Sequence, residues 1–195
     1  SDREGPLGIF LTQVGTGHFR NLIRAPADDL DNLGSVRSIG FTGDGSEIWL
    51  RGTRDRRMQL MPLVGLPRPF LGERVVHAAW SPDGTRLVYQ KDGDGDALFV
   101  ADRYGSNPKE IFASGHNHGP AWATDGQSIY FIHGQSGEGR EVWRIRPSGG
   151  KPEVMRQKTG YVLKLAPLDP RTILYAGYSE DGAGPWLWAL DVETL

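Results

Sequence analysis

One pattern recurs four times along this chain and limits its fold more than any other feature. A short apolar run ends on a bulky residue, a tight Asp-Gly turn follows, and a second β-rich run begins. The clearest copy is HAAWSPDGTRLVYQK, residues 77–91. SIGFTGDGSEIWLRG (38–52) and GPAWATDGQSIYFIH (119–133) repeat it, and KLAPLDPRTILYAG (164–177) is a degraded copy. The turn aspartates Asp44, Asp83, Asp125 and Asp169 stand 39, 42 and 44 residues apart. The turn chemistry has a physical cause. An Asp carboxylate accepts hydrogen bonds from its own nearby backbone, and Gly takes the positive φ that lets two strands reverse tightly.

Each copy continues in the same way. A polar loop comes next (GTRDRR, DGDGD, GQSGEGR, SEDGAG), then a third apolar strand (MQLMPL, ALFVAD, EVWRIR, PWLWALD). In the first three copies a Gly/Pro turn leads to a fourth strand (PRPFLG, PKEIFA, KPEVMR). The strands alternate apolar and polar residues, or run wholly apolar where both faces would be buried. No long segment has a period of 3.6; APADDLDNLG (25–34) reads as a linker. Abundant Gly (27) and Pro (13) and regularly spaced aromatics fit many short strands and turns. Four antiparallel strands repeating about every 40 residues predict an all-β fold, a β-propeller of about four to five four-stranded blades. Phe41, Trp80 and Trp122, which end the first strands, are expected to pack between blades.

The whole chain, 1–195, reads as a single partial propeller. A half blade spans 7–24, and blades span 36–72, 75–114 and 116–157. An incomplete blade spans 161–195. The half blade is assigned because GIFLTQVGTGHFRNLI (8–23) lines up with ALFVADRYGSNPKEIF (97–112), the third and fourth strands of a unit. Two arrangements are open. The N-terminal strands could complete the last blade and close a small ring. Alternatively the chain is part of a larger propeller, and this is favoured: the N-terminal half supplies two strands where the last blade lacks one. Open edges would then pair with a second copy.

The WSPDGTRLVY pattern resembles the WD40-like (PD40) repeat of TolB-type propellers. Trp80, Ser81, Pro82, Asp83 and Gly84 match in full. Trp122, Asp125 and Gly126 match with Ala-Thr in place of Ser-Pro, and Phe41, Asp44 and Gly45 with Thr-Gly there. Asp169 keeps the aspartate alone. The resemblance implies a bacterial, extracytoplasmic setting and a propeller attached to a larger protein. The tail EDGAGPWLWALDVE is most similar to propellers joined to kinases or transcriptional regulators.

Charge and composition exclude several functions. A net charge of −2 argues against nucleic acid or an anionic membrane as main partner. No stretch approaches the roughly 18 apolar residues of a membrane span. The absence of cysteine excludes thiol catalysis and Cys-based metal sites. No P-loop or nucleophile elbow occurs, because GQSGE (134–138) fails at Glu138. First strands line a propeller's channel, so Arg37, His77, His116, His118 and Lys164 are the candidate ligand-binding set. Two His on one strand face can bind a metal, but no carboxylate aligns at an inner position to complete a site. These residues therefore read first as polar channel lining, and His18 and His133 have no evident partners. DGDGDA (92–97) has carboxylates at positions 1, 3 and 5 of a calcium loop, but lacks its Gly and its closing Glu. It reads as a hairpin. The arginines of RGTRDRR (51–57) read as a solvated loop, and Trp186 and Trp188 as a same-face pair packing in their blade. The expectation is a non-catalytic scaffold or sensor module that binds a protein partner or small ligand and uses no cofactor. The alternative is the propeller of a hydrolase or metal-dependent lyase.

Overall fold

The structure, a computed structural model, describes residues 9–22, 36–52, 57–134, 140–156 and 160–194. The linker-like segment 25–34, residues 53–56 of the arginine loop and 135–139 of the third polar loop lie outside the described residues. All regular structure among the described residues is β. A hairpin of β1 (Phe10–Thr12) and β2 (Phe19–Asn21) precedes four antiparallel sheets. The first contains β3 (Val36–Phe41), β4 (Glu47–Gly52), β5 (Arg57–Pro62) and β6 (Arg68–Glu73). The second contains β7 (Val75–Trp80), β8 (Arg86–Lys91), β9 (Leu98–Asp102) and β10 (Lys109–Phe112). The third contains β11 (Asn117–Trp122), β12 (Ile129–His133), β13 (Glu141–Ile145) and β14 (Glu153–Arg156). The fourth contains β15 (Tyr161–Pro167), β16 (Thr172–Tyr178) and β17 (Trp186–Asp191). Every sheet is an up-and-down meander. The four are arranged as the blades of a β-propeller, with the first strands β3, β7, β11 and β15 neighbouring one another in chain order.

The second strand of each blade shows why the blades must stack. In β12, Ile129 and Phe131 pack against Val88, Leu98 and Ile111 of the preceding blade. Tyr130 and Ile132 pack against Val162, Leu165 and Ile173 of the following one. Alternate residues of one strand thus enter two different cores, which is why IYFI is continuously apolar. In β8, Leu87 and Tyr89 join Trp49, Met58 and Leu60 of the first blade, while Val88 joins the third. The same logic places the N-terminal hairpin. Ile9 and Leu22 pack on Ile48, Leu50 and Met61 of the first blade, as Leu98 and Ile111 pack on the third. β1 and β2 pair with each other and add no strand to the last sheet, where β17 pairs with β16.

Two of the three bulky residues at the ends of the first strands, Trp80 and Trp122, reach backwards. Trp122 is buried and donates its indole N–H to the Ala79 carbonyl of the preceding blade at 3.0 Å. Arg86 of that blade lies over the Trp122 ring, 4.7 Å from its centroid. Trp80 stacks on Phe70 of the first blade, ring centroids 5.8 Å apart. Phe41 departs from the expectation, being 56% exposed. The reason follows from the direction of packing. Ala79 and Arg86, against which Trp122 packs, lie on the first and second strands of the preceding blade, whereas the hairpin β1–β2 before Phe41 corresponds to third and fourth strands. The turns also touch between blades. A Cβ at Gly43 would stand 2.7 Å from the Gly84 Cα and 3.0 Å from the Trp80 Cβ. Glycine at this position therefore lets the first two Asp-Gly turns approach.

Candidate functional site

Antiparallel order gives the disc two unlike ends. One carries the tight Asp-Gly turns and the turns between third and fourth strands. The other carries the polar loops between second and third strands and the connections from blade to blade. The candidate residues gather at this second end, where the loops vary most in sequence.

Strand register places three of them on one level. His77 pairs with Gln90, His118 with Ile132 and Lys164 with Ala176. Counted from the Asp-Gly turn, Gln90, Ile132 and Ala176 are equivalent positions of β8, β12 and β16. His77, His118 and Lys164 therefore occupy the same rung of three adjacent first strands. Arg37 sits in the β3 register shift between Val36 and Ser38, and its side chain lies outside the described residues. Ser38, on the same rung of β3, is buried and donates to the Val76 carbonyl of the next blade at 2.6 Å.

His116 lies just before β11, its ring 6.5 Å from that of His118. It meets a carboxylate that does not belong to any first strand. Asp96, in the loop between β8 and β9 of the preceding blade, places Oδ2 3.1 Å from His116 Nδ1. Asp96 is a loop carboxylate and not one aligned at an inner strand position, so it reaches His116 from outside the rung of first-strand candidates. The Asp96 side chain is 8% exposed and that of His116 is 45% exposed. With Nδ1 directed at the carboxylate, Nε2 is the ring nitrogen left for an incoming group.

Asn117 builds the seat for this pair. It is fully buried. Its Nδ2 donates to the carbonyls of Gly95 (2.8 Å), Asp96 (3.3 Å) and Ser114 (3.2 Å), fastening the DGDGD loop to the next blade. Its Oδ1 lies 2.9 Å from His133 Nδ1. His133 is thus not partnerless. It also stacks on Trp143 with centroids 3.9 Å apart. Burial holds the His133 pKa below its ordinary value, with the Glu141 carboxylate opposing that shift. Neutral His133 donating from Nδ1 to an amide oxygen matches this direction.

The other sequence candidates divide. In the loop 92–97, Asp94 is exposed while Asp96 turns inward to His116, so the carboxylates serve different roles. Among the described residues no group of three His, Asp or Glu side chains is placed to hold a metal. Arg57, from the arginine loop, pairs with Glu73 at 2.9 Å. Trp186 and Trp188 face the same way, and Trp188 stacks on Tyr175 at 6.2 Å. Both remain substantially exposed, at 56% and 39%. Sequence singles out Asp96 only as one carboxylate of a calcium-loop-like hairpin, not as a partner of His116, and does not single out Asn117. Their one visible signal is a loop aspartate and a strand asparagine 21 residues apart, which carries meaning only once the blades are stacked.

No protein-family model matches the chain. An uncharacterised protein of Agrobacterium fabrum is 32% identical over 76 residues, which covers 38% of this chain and 26% of that protein. Among solved structures, TolB from Acinetobacter baumannii superposes with a TM-score of 0.64 and 16% identity, over 94% of this chain and 48% of that one. The tricorn protease superposes with a TM-score of 0.60 and 16% identity, over 92% of this chain and 23% of that one. The chain therefore spans about half the TolB chain and about a quarter of the protease. At these identities the likeness establishes the fold: the structural neighbours are TolB-type propellers and a protease propeller.

Proposed function

We propose that this chain is a non-catalytic binding module whose ligand, a polar segment of a protein partner or a small polar molecule, docks at the loop-bearing end of the disc. The observation that carries the reading is the Asp96–His116 contact, made between two blades and held by a buried asparagine. A site that draws on a loop of one blade and the inner strand of the next exists only in the stacked array, and it is pre-organised before any ligand arrives. His77, His118 and Lys164 on one rung add donors and acceptors from three strands. Rigid strands that present side chains from several blades to one surface suit recognition, with specificity set by the loops.

The test is selection from a displayed random-peptide library against the intact chain, followed by binding assays with His116→Ala/His118→Ala and with Lys164→Ala. The reading expects selected peptides to lose at least tenfold in affinity on either change. Peptides that bind all three proteins equally would sink it.

A further inference from the structure

The opposite end of the disc carries a second candidate site, independent of the reading above. A cleft of about 620 Å³ opens on the third blade, between the Asp-Gly turn and the turn joining β13 to β14. Its lining includes Ser128, Arg144, Arg146, Gly150, Lys151 and Glu153. Its volume lies in the range of small-molecule sites.

Charge decides what this cleft suits. Three cations line it against one carboxylate, and that carboxylate is already engaged. Glu153 accepts from Arg144 Nε at 3.2 Å and from Arg144 Nη2. Among the described residues Arg146 and Lys151 have no ion-pair partner, so two positive charges remain at the two ends of one turn.

The turn between them is held from behind. Lys109 of the preceding blade donates to the Ser148 carbonyl at 2.9 Å. A Cβ at Gly149 would stand 3.3 Å from the Ile111 carbonyl oxygen. A Cβ at Gly150, by contrast, would meet nothing within 4 Å, and the φ of +118° there favours glycine. The back of the turn is docked on the second blade while its front is open.

The other blades act as internal controls. In the second blade the equivalent turn is filled by its own carboxylate: Asp102 Oδ1 accepts from the Tyr104 and Ser106 amides, each at 2.9 Å. In the first blade it exposes Val64 and Leu66. The basic cleft is thus an addition to the third blade and not a property of the repeat.

We infer that this cleft binds a small phosphorylated polyol, such as a sugar phosphate. A phosphate monoester carries −1.5 to −2 at neutral pH, which matches Arg146 and Lys151 together. Ser128 and Gln127 offer neutral donors and acceptors to hydroxyl groups. Among the described residues the lining holds no aromatic ring on which a nucleobase could stack. Because the cations are exposed, the interaction is screened by salt and the affinity is modest.

The experiment is an amide NMR titration of the intact chain at constant ionic strength with glucose 6-phosphate, inorganic phosphate and glucose in parallel. The expected result is saturable shifts at Ser128, Gly149, Gly150 and Lys151 with glucose 6-phosphate, severalfold weaker binding of phosphate, and none of glucose. Arg146→Ala/Lys151→Ala, with an unchanged melting temperature, should weaken binding at least tenfold, and Lys151→Glu should abolish it. Three results would overturn the proposal: no saturable shift, equal affinity for inorganic phosphate and the sugar phosphate, or shifts that survive in both variants.

Discussion

At the scale of single residues, Asn117 has the most to do with the candidate site. It occupies the rung that valines fill at Val36, Val75 and Val162, opposite Gly52, Lys91 and Gly177. A polar side chain there is tolerated because all of its hydrogen-bonding capacity is used. Asn117→Ala would leave the Gly95, Asp96 and Ser114 carbonyls without this donor. The expected cost is about 1–3 kcal/mol, read by denaturant unfolding, and the loosened Asp96 loop should lower ligand affinity as well. The turn aspartates make a different kind of contribution. Hydrogen bonds from Ser81, and from the backbone and side chain of Thr85, hold the Asp83 pKa down at about 2, against an ordinary 3.8. Asp44 is lowered in the same way by Thr42 and Ser46. A depressed carboxylate stabilises the fold above its unfolded value and loses that contribution as pH falls through the folded value. Stability should therefore decline as pH drops from about 4 to 2. Asp83→Asn should be less stable at pH 7 and lose less over that window, which circular dichroism at a series of pH values would measure.

At the scale of the element, equivalent positions need not be equivalent in energy. Phe41 and Trp122 end corresponding strands, yet one is exposed and the other buried, with its indole N–H bonded to the preceding blade. Trp122→Ala should cost about 3–5 kcal/mol. Phe41→Ser should stay within about 0.5 kcal/mol. Parallel urea titrations of the two variants would check this, and comparable losses would mean that Phe41 is covered in solution. This pair also separates the local information in the sequence from the non-local. The strands, the turns and their order were legible because period-2 alternation and Asp-Gly turns are local signals. The continuous apolar run of β12 already implied two buried faces. The direction in which each bulky residue packs was not legible, because it depends on which strands the neighbouring unit presents. The same limit applied to the site. His77, His118 and Lys164 could be aligned by counting from the turns. Asp96 could not, since its partner lies on another blade and nothing in a loop of three aspartates marks the one that turns inward.

At the scale of the whole molecule, the stacked blades separate two kinds of surface. The loop-bearing end offers histidines, a buried carboxylate and a lysine drawn from adjacent strands. The turn-bearing end is built of short turns and carries the basic cleft on the third blade. Each blade shares its cores with its neighbours, so a loop fixed to one sheet is fixed relative to the next, and that rigidity makes an inter-blade site possible. The measurement that bears most directly on the binding reading combines calorimetry with mass spectrometry on one library-selected peptide. The account predicts saturable binding to the wild-type chain, at least tenfold weaker binding to His116→Ala/His118→Ala, and a peptide of unchanged mass after prolonged incubation. Cleavage of the peptide by the wild-type chain that stops in the His116 variant would contradict it and make the Asp96–His116 pair part of a hydrolytic site.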